Sequence, residues 1–228
     1  MGSMISYTRP DGKTVQGYLV KAEKQIGSLV VIQEWWGLND QIRGVADRAA
    51  NAGFTVLVPD LYRGKSTVEA EEAHHLMTDL DYADAASQDV RGAVQFLAKL
   101  GGKVGVTGFC MGGALTILSL TTVAEVAAGV VWYGLPPLED VDASKIKVPM
   151  MAHWATQDQI FPIASVDALE EKLRSAQVHL ESHRYLAQHA FANETAQGSG
   201  RNPAMQYDAA WAQMAWDRTM RFFGTHLA

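Results

Sequence analysis

The chain has 228 residues, 48% apolar and 19% charged, which excludes a disordered chain and leaves room for a substantial buried core. A net charge of −6 and the absence of any Lys/Arg cluster leave no electrostatic footprint for nucleic acid or for an anionic membrane. One cysteine excludes an internal disulfide framework and any multi-cysteine zinc site, and with no leader-like N-terminus and no run of roughly 18 apolar residues the expected location is the cytoplasm.

In chain order, Met-Gly-Ser at 1–3 reads as a cloning remnant, and residues 4–228 read as a single domain. Residues 5–8 and 14–20 flank Asp11-Gly12, a hairpin signal. Residues 28–33 (SLVVIQ) form a short continuous apolar run, which suits a strand buried on both faces of a parallel sheet. Asn39 or Asp40 can cap a helix through Asn51, with Ile42, Val45, Ala46 and Ala49 at helical spacing, and Gly53 stops it. A strand follows at 55–58, then helices at about 68–80 and 84–100, a strand at 104–107 and a helix through Leu120. The remainder predicts strands at 128–133, 148–154 and about 179–186, and helices at about 164–175 and 205–223. The loop 196–203 (AQGSGRNP) is polar and glycine-rich and is expected to be the most mobile segment. Strands alternating with helices predict one α/β domain with a doubly wound, mostly parallel sheet.

In such a sheet functional residues gather beyond the carboxyl ends of the strands. Gly108-Phe109-Cys110-Met111-Gly112 stands at one such end and has the form of a nucleophile elbow with cysteine in the serine position. The turn aims the sulfur at a helix N-terminus, where unpaired N–H groups favour a thiolate or an oxyanion, so the Met111 N–H is a candidate oxyanion donor. The competing reading of Cys110 is a small buried hydrophobe. A nucleophile needs a base, and the base an orienting group. Asp158 and His189 follow the next strands in the chain order of such folds. Asp158 could equally be an ordinary turn residue. The other six histidines lie in or beside strands, adjacent on a helix, or at the chain end.

Four stretches, QEWWG (33–37), PDLYRGK (59–65), GFCMGG (108–113) and HAFAN (189–193), together resemble the dienelactone hydrolases, or carboxymethylenebutenolidases. These are α/β-hydrolase-fold enzymes with a Cys-Asp-His triad, and the resemblance runs from about residue 5 to residue 223. It implies Cys110 as nucleophile, His189 as general base and Asp158 as its orienting carboxylate. It further implies that Glu34 lies beside the thiol and takes part in activating it, and that the Trp35 N–H is the second oxyanion donor beside Met111. For Glu34 the alternative is a salt bridge to Arg43 or Arg63. Family members that act on dienelactone hold the substrate's carboxylate with two arginines; the matching positions here are Asn193 and Ala70. Neither replaces a bidentate guanidinium, so a neutral ester or lactone is the expected substrate.

Aromatic residues flank the strand ends, and Trp36, Tyr133 and Phe191, with Asn193 and Arg63, are the candidate substrate contacts beside Trp35. The expected activity is carboxylic ester or lactone hydrolysis through a thioester, with no metal and no cofactor, by a monomer or small homo-oligomer that engages neither nucleic acid nor membrane. The alternatives are attack on other electrophiles such as phosphotriesters, a thiol sensor (which would lack a resolving cysteine), and a non-catalytic ligand-binding domain.

Overall fold

The structure is a computed structural model that describes residues 2–199 and 201–228; Met1 of the expected remnant and Gly200 of the glycine-rich loop lie outside the described residues. The Asp11-Gly12 turn joins β1 (Ser3–Thr8) and β2 (Thr14–Val20) into an antiparallel hairpin. The apolar runs then build β3 (Gly27–Ile32), β4 (Phe54–Pro59), β5 (Val104–Phe109), β6 (Ala128–Trp132), β7 (Met150–Ala155) and β8 (Leu180–Tyr185). The eight strands form one sheet in the order β1-β2-β4-β3-β5-β6-β7-β8, parallel from β4 to β8. This is the α/β-hydrolase arrangement.

Helices cover both faces: α1 (Asp40–Asn51), α2 (Ala70–Thr78), α3 (Tyr82–Asp84), α4 (Arg91–Leu100), α5 (Met111–Thr122), α6 (Ile163–Ser175) and α7 (Ala209–Leu227). Because side chains alternate along a strand, β3 feeds two cores. Val30 and Ile32 join α4, α5 and α6 on one face, while Leu29 and Val31 join α1 and α7 on the other. Helix α1 begins as its sequence predicts, with the Asn39 side chain accepting from the Ile42 N–H at 3.1 Å, and Gly53 follows it at φ 100°. Helix α7 lays Phe223 and Leu227 against β5, where a Cβ on Gly105 would meet Phe223 at 2.6 Å. No helix among the described residues is long and apolar enough to cross a membrane.

Two elements depart from the sequence pattern. The stretch expected as a helix from Asp84 to Leu100 contains a π-helical turn, Ala85–Val90, between α3 and α4. Buried Asp89 lies in that turn and faces Arg9, which is 4% exposed and also pairs with Asp11 at 2.7 Å and Asp84 at 2.8 Å. The charge cluster pins the β1–β2 turn to the helix. The last helix begins at Ala209 rather than near Met205, because Asp208 caps it by accepting from the Ala210 and Trp211 N–H groups. Residues 205–208 instead run extended beside residues 189–191: Gln206 donates to the His189 carbonyl at 3.0 Å and Asp208 to that of Phe191 at 3.0 Å.

At the β5–α5 turn the backbone is packed against itself. A Cβ on Gly108 would lie 2.1 Å from the Gly112 carbonyl oxygen, and one on Gly134 would lie 1.8 Å from that of Cys110. Backbone cannot retreat as a flexible side chain does. Gly108→Ala is therefore expected to cost about 3 kcal/mol or more, whereas Gly44→Ala, in open space on α1, should raise stability by about 0.5–1 kcal/mol. Urea unfolding of the two variants beside the parent measures both.

Candidate active site

Cys110 occupies the turn at φ 54° and ψ −116°, a conformation that L-residues rarely adopt. Its neighbours over-determine that geometry. The Cys110 N–H donates to the Trp132 carbonyl at 2.9 Å, and its own carbonyl accepts from Gly113 at 2.9 Å. The residue is 7% exposed and borders a cavity of about 460 Å³. The Met111 N–H opens helix α5, and the Trp35 N–H follows the end of β3; neither has an acceptor among the described residues.

Asp158 lies in the loop after β7, and its two oxygens divide the work. Oδ1 accepts from the Ile160 and Phe161 N–H groups at 2.8 and 2.9 Å, the role of an ordinary turn aspartate. Oδ2 meets His189 Nδ1 at 2.7 Å. His189 is fully buried after β8, with Tyr133 and Phe161 rings 5.2 and 5.7 Å from its own. Its other ring nitrogen, Nε2, meets no oxygen or nitrogen partner among the described residues and has the Cys110 side chain as its neighbour. Burial opposes charge on this ring, yet the neighbouring Cys110 side chain and the Asp158 carboxylate outweigh burial and push His189 up to about 10.

Glu34 is buried at the end of β3 and makes neither of the salt bridges considered for it. Arg43 pairs with Asp40, and Arg63 with Asp89. Glu34 Oε1 instead accepts from the Tyr133 hydroxyl at 3.1 Å and Oε2 from Asn193 Nδ2 at 2.6 Å. Burial raises its carboxyl above the usual range, while the Asn193 amide, His189 and Tyr133 pull the other way.

Several expected substrate contacts take other places. Asn193 donates to Glu34 and accepts at Oδ1 from the Thr195 N–H and hydroxyl, so its amide holds the site's carboxylate. Tyr133 lies beneath the site as the other partner of Glu34 and does not line the Cys110 cavity. Phe191 is fully buried, packed tilted or edge-on among the rings of Trp132, Tyr133 and Tyr185. Arg63 donates to Asp89 and to the Asp60 carbonyl, away from the cavity wall. Trp36 borders a second cavity of about 410 Å³ beside Asn193, whereas Trp35 and Met111 line the first.

The wall around Cys110 is mostly supplied by residues that carried no sequence signal. Leu135, Pro136 and Pro137 come from the segment after β6, Met77 and Tyr82 from around the α2–α3 connection, and Phe161 and Met205 from loops. The Leu-Pro-Pro run directly after a strand end was the readable clue. Among the described residues no group of three or more His, Cys, Asp or Glu is placed to hold a metal ion.

Residues 15–227 match the model of the dienelactone hydrolase family. A relative from Aquifex pyrophilus, the protein usf, is 33% identical with both chains covered in full. One from Aquifex aeolicus, named for carboxymethylenebutenolidase, is 29% identical over the full length of both. Among solved structures, a dienelactone hydrolase-like promiscuous phosphotriesterase from metagenomic libraries superposes with a TM-score of 0.88 at 24% identity, covering 100% of this chain and 99% of its own. A Pyrococcus furiosus esterase gives 0.72 at 16% identity, covering 100% and 94%. At those identities the superpositions speak for the fold alone; the match over nearly the whole chain, with the full-length relatives, makes this protein a member of the dienelactone hydrolase family of ester-bond hydrolases.

Proposed function

We propose that the protein hydrolyses carboxylic esters or lactones lacking a free carboxylate, with Cys110 as nucleophile, His189 as general acid and base, and Asp158 as the group that orients it. The observation that carries this reading is the Asp158–His189 pair at 2.7 Å, which leaves Nε2 of His189 for Cys110 at the cavity wall. A structural thiol needs none of these partners.

The Cys110 thiolate attacks the ester carbonyl carbon, and the displaced π electrons settle on oxygen, facing the Trp35 and Met111 N–H groups. Oxyanion donors of this kind are each worth about 3–4 kcal/mol in the transition state. Collapse breaks the C–O bond, and the His189 Nε2–H gives its proton to the leaving alkoxide, leaving a thioester and a neutral imidazole. The imidazole then takes a proton from water as the oxygen adds to the acyl carbon. Expulsion of the thiolate releases the acid and restores the ion pair. Tyr133 and Asn193 hold Glu34 beside this chemistry, where its carboxyl tunes the charge balance between thiol and imidazole. An anionic substituent finds no guanidinium on the cavity wall. The phosphotriester reading rests on the likeness to the metagenomic promiscuous phosphotriesterase.

Cys110→Ala is expected to reduce p-nitrophenyl acetate turnover to background with an unchanged circular dichroism spectrum; turnover at wild-type rate would reject the nucleophile. A dienelactone bearing a free carboxylate should be cleaved at least about tenfold less efficiently than its methyl ester, since no charge-assisted partner meets the anion. Comparison of kcat/KM for the two decides this, and including paraoxon tests the phosphotriester alternative. The His189–Asp158 pair also leaves a pH signature. With His189 raised from 6.5 to about 10, the folded state holds a proton that the unfolded state releases, so the contribution is complete below about 6.5 and is lost as pH rises towards 10. The unfolding free energy of the wild type should fall relative to Asp158→Asn across that window in urea titrations, since the carboxylate that helps raise His189 stays ionised throughout. Parallel curves would rule out the coupling.

A further inference from the structure

The cavity beside Cys110 has a distinct charge. Three aromatic rings, Trp35, Tyr82 and Phe161, stand in its wall, and no Lys, Arg or His does. The one carboxylate is Asp140, at the end of the short 3-10 turn Leu138–Asp140. Asp140 is exposed and forms no ion pair among the described residues. The segment that supplies Met77 and Tyr82 carries Asp79 and Asp81, also exposed and also without ion pairs. Two cations approach the Asp140 turn from elsewhere. Lys172 donates to the Leu138 carbonyl at 2.6 Å in a shallow groove on another side of Asp140, and Lys145 pairs with Asp142 at 3.3 Å. Neither lines the cavity.

Aromatic faces present negative quadrupole density to a bound group, and an adjoining carboxylate adds a full charge. Apolar walls weaken screening, so the field of Asp140 reaches further into the cavity than it would across open water. A group entering this space loses hydration. A quaternary ammonium, weakly hydrated and broad, regains that loss from aromatic rings and a carboxylate; a neutral isostere gains only apolar contact, and an anion is repelled. We infer that the site selects esters carrying an ammonium group over their neutral isosteres, with Asp140 as the specificity-determining residue. This rests on the ester-hydrolase reading of the site and adds the substrate's charge to it.

The test uses acetylcholine and its uncharged isostere 3,3-dimethylbutyl acetate, which differ in one atom of the head group. The kcat/KM ratio of cation to isostere should be roughly threefold to tenfold in the wild type and fall to about 1 in Asp140→Asn. It should also decline as ionic strength rises from about 0.01 to about 1 M. Asp140→Lys should invert the ratio. A wild-type ratio of 1 or less, or one that survives Asp140→Asn, overturns the inference. Calorimetric titration of Cys110→Ala with the same two esters reads the preference as a ratio of Kd without any turnover. If neither ester is hydrolysed but acetylcholine binds preferentially, the charge selection holds and the hydrolytic reading fails; equal or weaker binding of acetylcholine rejects the charge selection whatever the chemistry does.

Discussion

Everything at the site depends on one backbone constraint, the left-handed conformation of Cys110. A cysteine gains nothing locally from φ 54°, so the conformation is held by what surrounds it. Three approaches hold it: Gly108 against Gly112, Gly134 against the Cys110 carbonyl, and Gly112 against the end of β3 at Ile32 and Gln33. The last of these brings the start of helix α5 to the strand that carries Glu34 and Trp35. The close contact that strains the elbow therefore also brings together the two segments that carry the Trp35 and Met111 N–H groups.

Charge is distributed as carefully as shape. His189 and Glu34 are both buried, and burial alone would leave both neutral. The histidine escapes because the Cys110 side chain and the Asp158 carboxylate flank it; the glutamate, held by the Asn193 amide, the Tyr133 hydroxyl and the His189 field, is still displaced towards its protonated form. One buried group is held charged and its neighbour is pushed towards neutrality. Environments that drive titratable groups in opposite senses are how a site separates acid from base near neutral pH.

The sheet and its helices were legible because continuous apolar runs and glycine stops report directly on local backbone and two-sided burial. The residues of the elbow, Asp158 and His189 were legible for a related reason: strand ends in a parallel sheet lie along one edge, so chain order predicts proximity. The π turn at Ala85–Val90 was not, since its charged partner Arg9 meets Asp84 and Asp89 from 75 and 80 residues away, a contact that local periodicity does not report. The start of α7 was misplaced because Met205 and Tyr207 suit a helical pattern, while the extended run beside His189 and the Asp208 cap are set by tertiary contact. The cavity wall was hardest to read. An aromatic residue at a strand end carries the same local signal whether it turns into the core, as Phe191 does, or out to the cavity, as Trp35 does.

Helix α7 has a bearing on how the chain acquires its activity. Among the elements it is the last to emerge in synthesis, yet its Phe223 and Leu227 fill the face of β5, and its Thr219 bonds buried His153 on β7 at 2.8 Å. The strands that lead to Cys110 and Asp158 thus lack one wall until α7 has been made. Such long-range closure is slow compared with local helix formation. A nascent chain can thus expose Cys110 long before His189 and the helix that backs these strands are in place, so assembly of the site waits on α7.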